Sequence, residues 1–340
     1  MLIRTLYAMR CGLAVALLLC GAGCAEIRSY QADTRYDRGR NLLAREDLEG
    51  ALAQFEAAVA LEPELAVAHS SMGVIYRRMG EYAQAIECFS NALRHNPQSF
   101  VDTLNLAQLY HFSKRIHDAI QAYLHACDLR PDDFNAQLNL GVCYWEVGDL
   151  NQATERYRQA IDIDPDSPHA YVNLGIVYDA QQKYYEAVHA YKEALERDNH
   201  QPATLVNLGY TYLNQDRLKM ARMSLEQAVS LDVKLASAHE GLGFCHFRLH
   251  DFDSAEACYR AALSCDRHLP NSYAFLGSIN MLKYLETPED ARLRDKALEY
   301  WHRSLELKPD QPKVRQLIAQ YKPRQVDPDK VLLTESGDKP

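Results

Sequence analysis

Apolar residues in this chain fall three and four apart over short stretches, the spacing of an amphipathic helix. In Phe134–Glu146, Leu138, Val142 and Trp145 lie along one line, Leu140 and Tyr144 along another. Gly148-Asp149 marks a turn, and a second helix is predicted over Leu150–Ile163, with Leu150, Ala153, Tyr157, Ala160 and Ile161 on one face. Pro165 ends it, since proline cannot continue a helix. Pro63, Pro97, Pro131 and Pro309 stand at equivalent corners. The chain therefore reads as helix, tight turn, helix and corner, many times over.

The recurrence is strict. One slot returns every 34 residues, at Gly39, Gly73, Ala107, Gly141, Gly175, Gly209, Gly243 and Gly277. An alanine ladder follows it through Ala51, Ala85, Ala119, Ala153, Ala187, Ala221 and Ala255. Glycine inside a helix costs about 1 kcal/mol relative to alanine, so its repetition needs a packing reason. Two small residues at a fixed offset predict two helices whose backbones approach closely. Counted from seven residues before the slot, the units are 32–65, 66–99, 100–133, 134–167, 168–201, 202–235 and 236–269, with an eighth over 270–310. A period of this length means a solenoid rather than globular domains.

The slots also carry a family signature. Leucine precedes the small residue at Leu106, Leu140, Leu174, Leu208, Leu242 and Leu276, and tyrosine follows three later at Tyr76, Tyr110, Tyr144, Tyr178 and Tyr212. Aromatics lie four beyond the alanine ladder at Phe55, Phe89, Tyr123, Tyr157, Tyr191 and Tyr259, with a late alanine at Ala58, Ala92, Ala126, Ala160, Ala194, Ala228 and Ala262. This pattern resembles the tetratricopeptide repeat. The resemblance implies an all-α, right-handed α-solenoid of eight helix-turn-helix units. Departures fall toward the ends: Arg38 replaces the leucine, and Asn199, Val233 and Arg267 replace the corner proline. In the eighth unit the alanine slot is delayed to Ala297, and Glu286–Asp290 is expected to begin a longer second helix with Trp301 in the aromatic slot. Residues 311–322, carrying Val314, Leu317, Ile318 and Tyr321, are expected to form a C-terminal capping helix. The tail over 323–340 is expected to be disordered.

In this family the first helix of each pair lines the concave side, which here places the positions −6, −3, −2 and +1 from the small slot on that surface. The −2 position reads Asn105, Asn139, Asn173 and Asn207 in four consecutive units. Asparagine is a weak helix former because its amide competes for backbone hydrogen bonds. A row of amides offers a donor and an acceptor at each step, suited to an extended polypeptide, and is similar to the asparagine ladder in the repeat arm of O-linked N-acetylglucosamine transferase. The alternative is that each amide ties its own helix to a neighbour. Flanking positions, among them Val142, Ile176 and Tyr210, are uncharged in units two to six. Trp145, Phe112, Phe244 and Phe247 are candidate aromatic anchors. The reading is a neutral, partly apolar groove for a protein or peptide segment, with Asn105, Asn139, Asn173, Asn207, Val142, Trp145, Ile176 and Tyr210 as its contact residues.

Composition narrows the function class. The formal charge is −9 and no basic run of five or more occurs, which argues against nucleic acid as partner. There is no glycine-rich phosphate loop, H-E-x-x-H or nucleophile elbow, so the expectation is a non-enzyme without cofactor, metal or small-molecule substrate. No C-x-x-C occurs among the nine cysteines. Cys245 and Cys258 lie on facing helices of one hairpin, where a disulfide could form in an oxidising compartment.

The amino terminus reads as an export signal. Arg4 and Arg10 precede the apolar run Gly12–Cys20, which is too short to span a bilayer. Gly21-Ala22-Gly23-Cys24 resembles the lipobox of bacterial lipoproteins, with Gly21 where that family usually has leucine. The resemblance implies a signal peptide over 1–23, an acylated Cys24 and a tether over 24–31. The alternative is ordinary cleavage after Ala25 and a soluble periplasmic or secreted module, or an adaptor for a cell-wall enzyme. The expected protein is an exported scaffold of a bacterial cell envelope, anchored by lipid to the periplasmic side of the outer membrane, of a kind that helps assemble pili, secretion or polysaccharide-export machinery.

Overall fold

A computed structural model describes residues 26–322. Among these residues there are 17 helices and no strand. Helix α1 spans residues 26–43 and pairs with α2 (Leu48–Leu61). The next pairs are α3 (Ala66–Met79) with α4 (Tyr82–His95), α5 (Phe100–Phe112) with α6 (Ile116–Leu129), and α7 (Phe134–Glu146) with α8 (Leu150–Ile163). These form one compact unit, which ends at Asp166. A second unit begins at Ser167. It contains α9 (Pro168–Ala180) with α10 (Tyr184–Arg197), α11 (Pro202–Asn214) with α12 (Leu218–Leu231), α13 (Ala236–Arg248) with α14 (Phe252–Cys265), α15 (Pro270–Glu286) with α16 (Ala291–Leu307), and a last helix α17 (Pro312–Tyr321).

The glycine slot has a specific packing cause. A Cβ on Gly141 would stand 2.6 Å from the Tyr157 ring, one on Gly175 2.5 Å from Tyr191, and one on Gly277 2.4 Å from Trp301. The expected close approach of two backbones thus takes the form of a ring seated on a bare Cα. Phe55, Phe89, Tyr123, Tyr157, Tyr191, Tyr259 and Trp301 fill the aromatic slot, each no more than 2% exposed. Burying such a ring contributes roughly 2–3 kcal/mol, enough to outweigh the helix-propensity cost of the glycine beneath it. In the sixth unit Leu225 replaces the ring and packs on Gly209.

The helix ends are set by local chemistry. Where a proline follows, the helix stops two residues earlier and the residue between them is extended, as Glu62, Asn96 and Asp164 show, because a residue before proline is pushed out of the helical region. Asn199, Val233 and Arg267 lack that device, yet α10, α12 and α14 end in the same place. There Asp198, Asp232 and Asp266 cap the helix, and their carboxylates accept from the backbone N–H of His200, Lys234 and His268 at 3.0, 2.9 and 2.8 Å. This is an Asx turn standing in for proline. The tight turn inside each of the first seven pairs uses one left-handed residue, seven positions after the small slot. Gly80 and Gly148 hold it in two units, but Glu46, Lys114, Gln182, Asp216 and His250 hold it in the others at φ between 58 and 61°.

Three expectations are corrected or fall outside the structure. Residues 26–31, read as tether, are the opening turns of α1: Ser29 Oγ donates to Glu62 Oε2 at 2.9 Å and Ala32 is fully buried. Glu286–Asp290 does not begin the second helix of the eighth unit. Instead α15 and α16 are each 17 residues long against 13 and 14 in the fourth unit, and the turn lies between them with Asp290 as N-cap. The insertion is thus shared, one turn to each helix, so the ring slot stays in register. Trp301 is held there by its Nε1, which donates to Ala274 O at 3.1 Å, and α17 packs Val314, Leu317, Ile318 and Tyr321 against it. The signal peptide, Cys24 and the tail over 323–340 lie outside the described residues.

Candidate protein-binding surface

The four asparagines do not share one environment. Asn105 is buried, and its Oδ1 accepts from Arg77 Nη1 at 2.6 Å. Arg77 reaches across from α3 and also contacts Gln108 Oε1 at 3.5 Å, so this amide is engaged within the chain. Asn139, Asn173 and Asn207 are partly exposed and their side chains make no hydrogen bond among the described residues. Val142 and Ile176 are partly buried beside them, and Trp145 is 43% exposed. Tyr210 donates its hydroxyl to Ser237 O at 3.2 Å, tying α11 to α13. Phe112, 65% exposed, leans on Tyr82 with ring centroids 4.6 Å apart.

Near Asn139 the surface is not neutral. An open depression of about 620 Å³ is lined by Gln108, His111, Phe112, Lys114, Tyr123, Asn139 and Glu146. Lys114 Nζ and His111 Nε2 lie 3.3 and 3.4 Å from Glu146 Oε1. Partial burial tends to raise the Glu146 carboxyl, but the hydrogen bonds from His111 and Lys114 outweigh it and hold the group below the usual range. The charges missed by the sequence reading sit one turn beyond the positions it surveyed, at +4, +5 and +7 from the small slot.

In the second unit an open pocket of about 460 Å³ lies among α11, α13, α14 and α15. Its walls are Tyr210, Leu213, Phe244, Tyr259 and Phe275, and its polar groups are Asn214, Glu240, Arg248 and Asn271. Phe275 meets Phe244, Phe247 and Tyr259 at centroid distances of 5.6, 5.1 and 5.2 Å. Phe247 is therefore committed to packing, whereas Phe244 also faces the pocket.

Asp179, also at the +4 position, joins three helices of the second unit. Its Oδ2 accepts from Tyr191 Oη at 2.9 Å and from Thr211 Oγ1 at 2.7 Å, while Oδ1 is buried without a partner. Burial pushes its carboxyl up, and the two hydrogen bonds offset this only in part. Cys245 and Cys258 are free thiols. Burial raises Cys143 to about 12 and Cys88, Cys127 and Cys245 to about 11, so these four pack as small apolar groups rather than as nucleophiles. Among the described residues no cluster of histidine, cysteine and carboxylate is arranged to hold a metal.

Helix pairs in a strict register, a large side chain seated on the small slot (a ring in every unit but the sixth) and a first-helix face bearing accessible amides define a tetratricopeptide repeat solenoid, a class of protein-interaction scaffold. Residues 25–268 match the model of the cilia and flagella-associated protein 70 C-terminal domain, and the chain belongs to that tetratricopeptide repeat family. Among solved structures, it is similar to the C-terminal part of a TPR repeat-containing protein from Cytophaga hutchinsonii, at 17% identity over 71% of this chain and 99% of that one, with a TM-score of 0.61. A tetratricopeptide repeat protein from Parabacteroides merdae matches at 16% identity over 70% and 94%, with a TM-score of 0.52. The APC/C hetero-tetramer Cut9–Hcn1 matches at 17% over 81% of this chain and 52% of that chain, with a TM-score of 0.56. At such identities the likeness is one of fold. No curated protein matches the sequence.

Proposed function

We propose that this chain is a non-catalytic scaffold, exported and held at a membrane through a lipid on Cys24, that binds an extended or helical segment of a partner protein during assembly of cell-envelope machinery. One observation carries the binding part: Asn139, Asn173 and Asn207 stand mid-helix, accessible, with no hydrogen bond of their own among the described residues. An asparagine placed there costs helix propensity, and a backbone amide of a bound peptide would use both its donor and its acceptor. Asn105, held by Arg77, is not available to a bound peptide. The anchoring part rests on the apolar run Gly12–Cys20 and the Gly21–Cys24 motif; no helix among the described residues is long and apolar enough to cross a membrane.

The test for binding is photo-crosslinking in intact cells from a probe at position 139, 173 or 207. The identified partner is then measured against variants Asn139→Ala in the first unit and Asn173→Ala with Asn207→Ala in the second. Capture should fall at least tenfold without any lowering of the melting temperature; full capture by both variants would remove the peptide reading. Mass spectrometry of the mature amino terminus tests the anchor. A diacylglyceryl-modified Cys24 is expected, and an unmodified terminus would leave a soluble binding module.

A further inference from the structure

The pocket of the second unit carries more than shape, and its role as a side-chain site rests on the peptide-binding function just proposed. Glu240 lies in it with Oε1 accepting from Ser272 Oγ at 2.8 Å. No lysine, arginine or histidine pairs with this carboxylate among the described residues. The guanidinium that shares the pocket is already occupied: Arg248 Nη2 lies 2.8 Å from Asp216 Oδ1. A second polar group is also unmet. Tyr259 is 0% exposed, and its hydroxyl is buried without any hydrogen-bond partner.

A carboxylate without an ion-pair partner beside aromatic rings is a specific environment, although the Arg248 guanidinium already lies over the Phe244 ring, 5.8 Å from its centroid. The ring quadrupole puts negative potential on each face, and a partly desolvated cation gains from both ring and carboxylate. An anion would be repelled by Glu240, a neutral amide would gain a hydrogen bond without the ion-pair attraction, and a purely apolar side chain would leave the carboxylate without a charged partner. Burial and then the charge of Glu240 hold the Tyr210 and Tyr259 phenols protonated, so the rings add no competing anion. The chain's net charge of −9 favours encounter with a basic partner.

We propose that this pocket receives a lysine or arginine side chain of the bound polypeptide. Glu240 takes the charged head, and the rings of Tyr210, Phe244 and Phe275 cover the methylene stem. The pocket thereby fixes the register of a segment lying along the first-helix face.

The full chain labelled with 4-fluorophenylalanine reads this out by fluorine NMR, with the Phe244 and Phe275 signals assigned from Phe244→Leu and Phe275→Leu variants. Three probes are titrated: N-acetyl-lysine amide, N-acetyl-arginine amide and the uncharged N-acetyl-norleucine amide. The basic probes should move both signals, norleucine should not, and Glu240→Gln should weaken the response about tenfold while the far-UV circular dichroism stays unchanged. An equal response to norleucine, a response unaffected by Glu240→Gln, or no response to any probe overturns the proposal. None of these outcomes touches the amide row, whose own test is partner capture by the asparagine variants.

Discussion

The depression near Asn139 and the pocket at Glu240 are built from the same repeat positions with opposite charges. In the first unit Lys114, at the left-handed turn, pairs with Glu146 at the end of the next first helix, 3.3 Å away. In the second, Asp216 at that same turn position pairs with Arg248 at the same helix end, 2.8 Å away. Geometry is thus repeated while sign is free, which marks both pairs as links between neighbouring repeats rather than as ligand sites. What distinguishes the two surfaces is the −3 position, Leu138 in one and the uncompensated Glu240 in the other. The lesson is that function in such an array is found by subtracting what the repeats do for each other.

The largest expected difference lies beneath the surfaces, in the small slot. Ala107 coexists with a fully packed Tyr123 in the first unit, so that ring can yield to a methyl group. Gly277 faces Trp301, which Ala274 O pins in place, and an added Cβ would stand 2.4 Å from it. Overpacking of this kind costs about 3 kcal/mol, of which helix propensity returns about 1 kcal/mol. Gly277→Ala should therefore destabilise by about 2 kcal/mol. Gly243→Ala, at 3.0 Å from the Tyr259 ring, should cost less. Thermal unfolding followed by circular dichroism ranks them, and equal midpoints would refute the seated-ring account.

Acid should move the two units in opposite directions. Asp179 has a raised carboxyl in the fold, so its contribution is fully present below the ordinary carboxylate range and is lost as pH rises through the raised value. Asp179→Asn keeps an acceptor for Tyr191 and Thr211 and removes the buried charge. It should be more stable than the parent at pH 7 by about 1 kcal/mol, with the gap closing toward pH 4. Glu146 has a lowered carboxyl, so its contribution is present above the ordinary range and lost as pH falls through the lowered value. Glu146→Gln should be slightly less stable than the parent at pH 7 and equal to it in acid. Melting curves of parent and variants at the two pH values check both signs.

How legible the molecule was varied by position. The helix pairs, the small slot and the ring slot could be read because each demands one kind of residue: no side chain at Gly141, a large ring at Tyr157. The left-handed turn demands a backbone conformation, and five non-glycine residues adopt it, so in the sequence it was read only at Gly148. Gln182→Gly should accordingly relieve strain and stabilise the chain by about 0.5 kcal/mol, since left-handed backbone costs an L-residue about 1 kcal/mol and glycine's own flexibility returns part of the loss. The amide row was visible as residue identity, but not that Arg77 crosses from the preceding repeat to take Asn105. Glu240 was visible only as a departure from an uncharged slot; that nothing neutralises it depends on where Arg248 points, which spacing alone does not carry.

The smallest effect tests the comparison most directly. Lys114→Asp with Glu146→Arg writes the second unit's pair into the first. Partly exposed pairs contribute ~0.2–1 kcal/mol, so each single change should lose no more than that. The double variant should recover most of the loss, and all differences should shrink in high salt as screening removes the Coulomb term. The reciprocal exchange, Asp216→Lys with Arg248→Glu, has a different consequence. It preserves the pair but adds a second carboxylate to a pocket that already holds Glu240, so stability should recover less completely than in the first unit. The same double variant should bind N-acetyl-lysine amide more tightly than the parent does. If both exchanges recovered equally and the probe bound no better, the two surfaces would be equivalent, and the unpaired charge at Glu240 would not be what separates them.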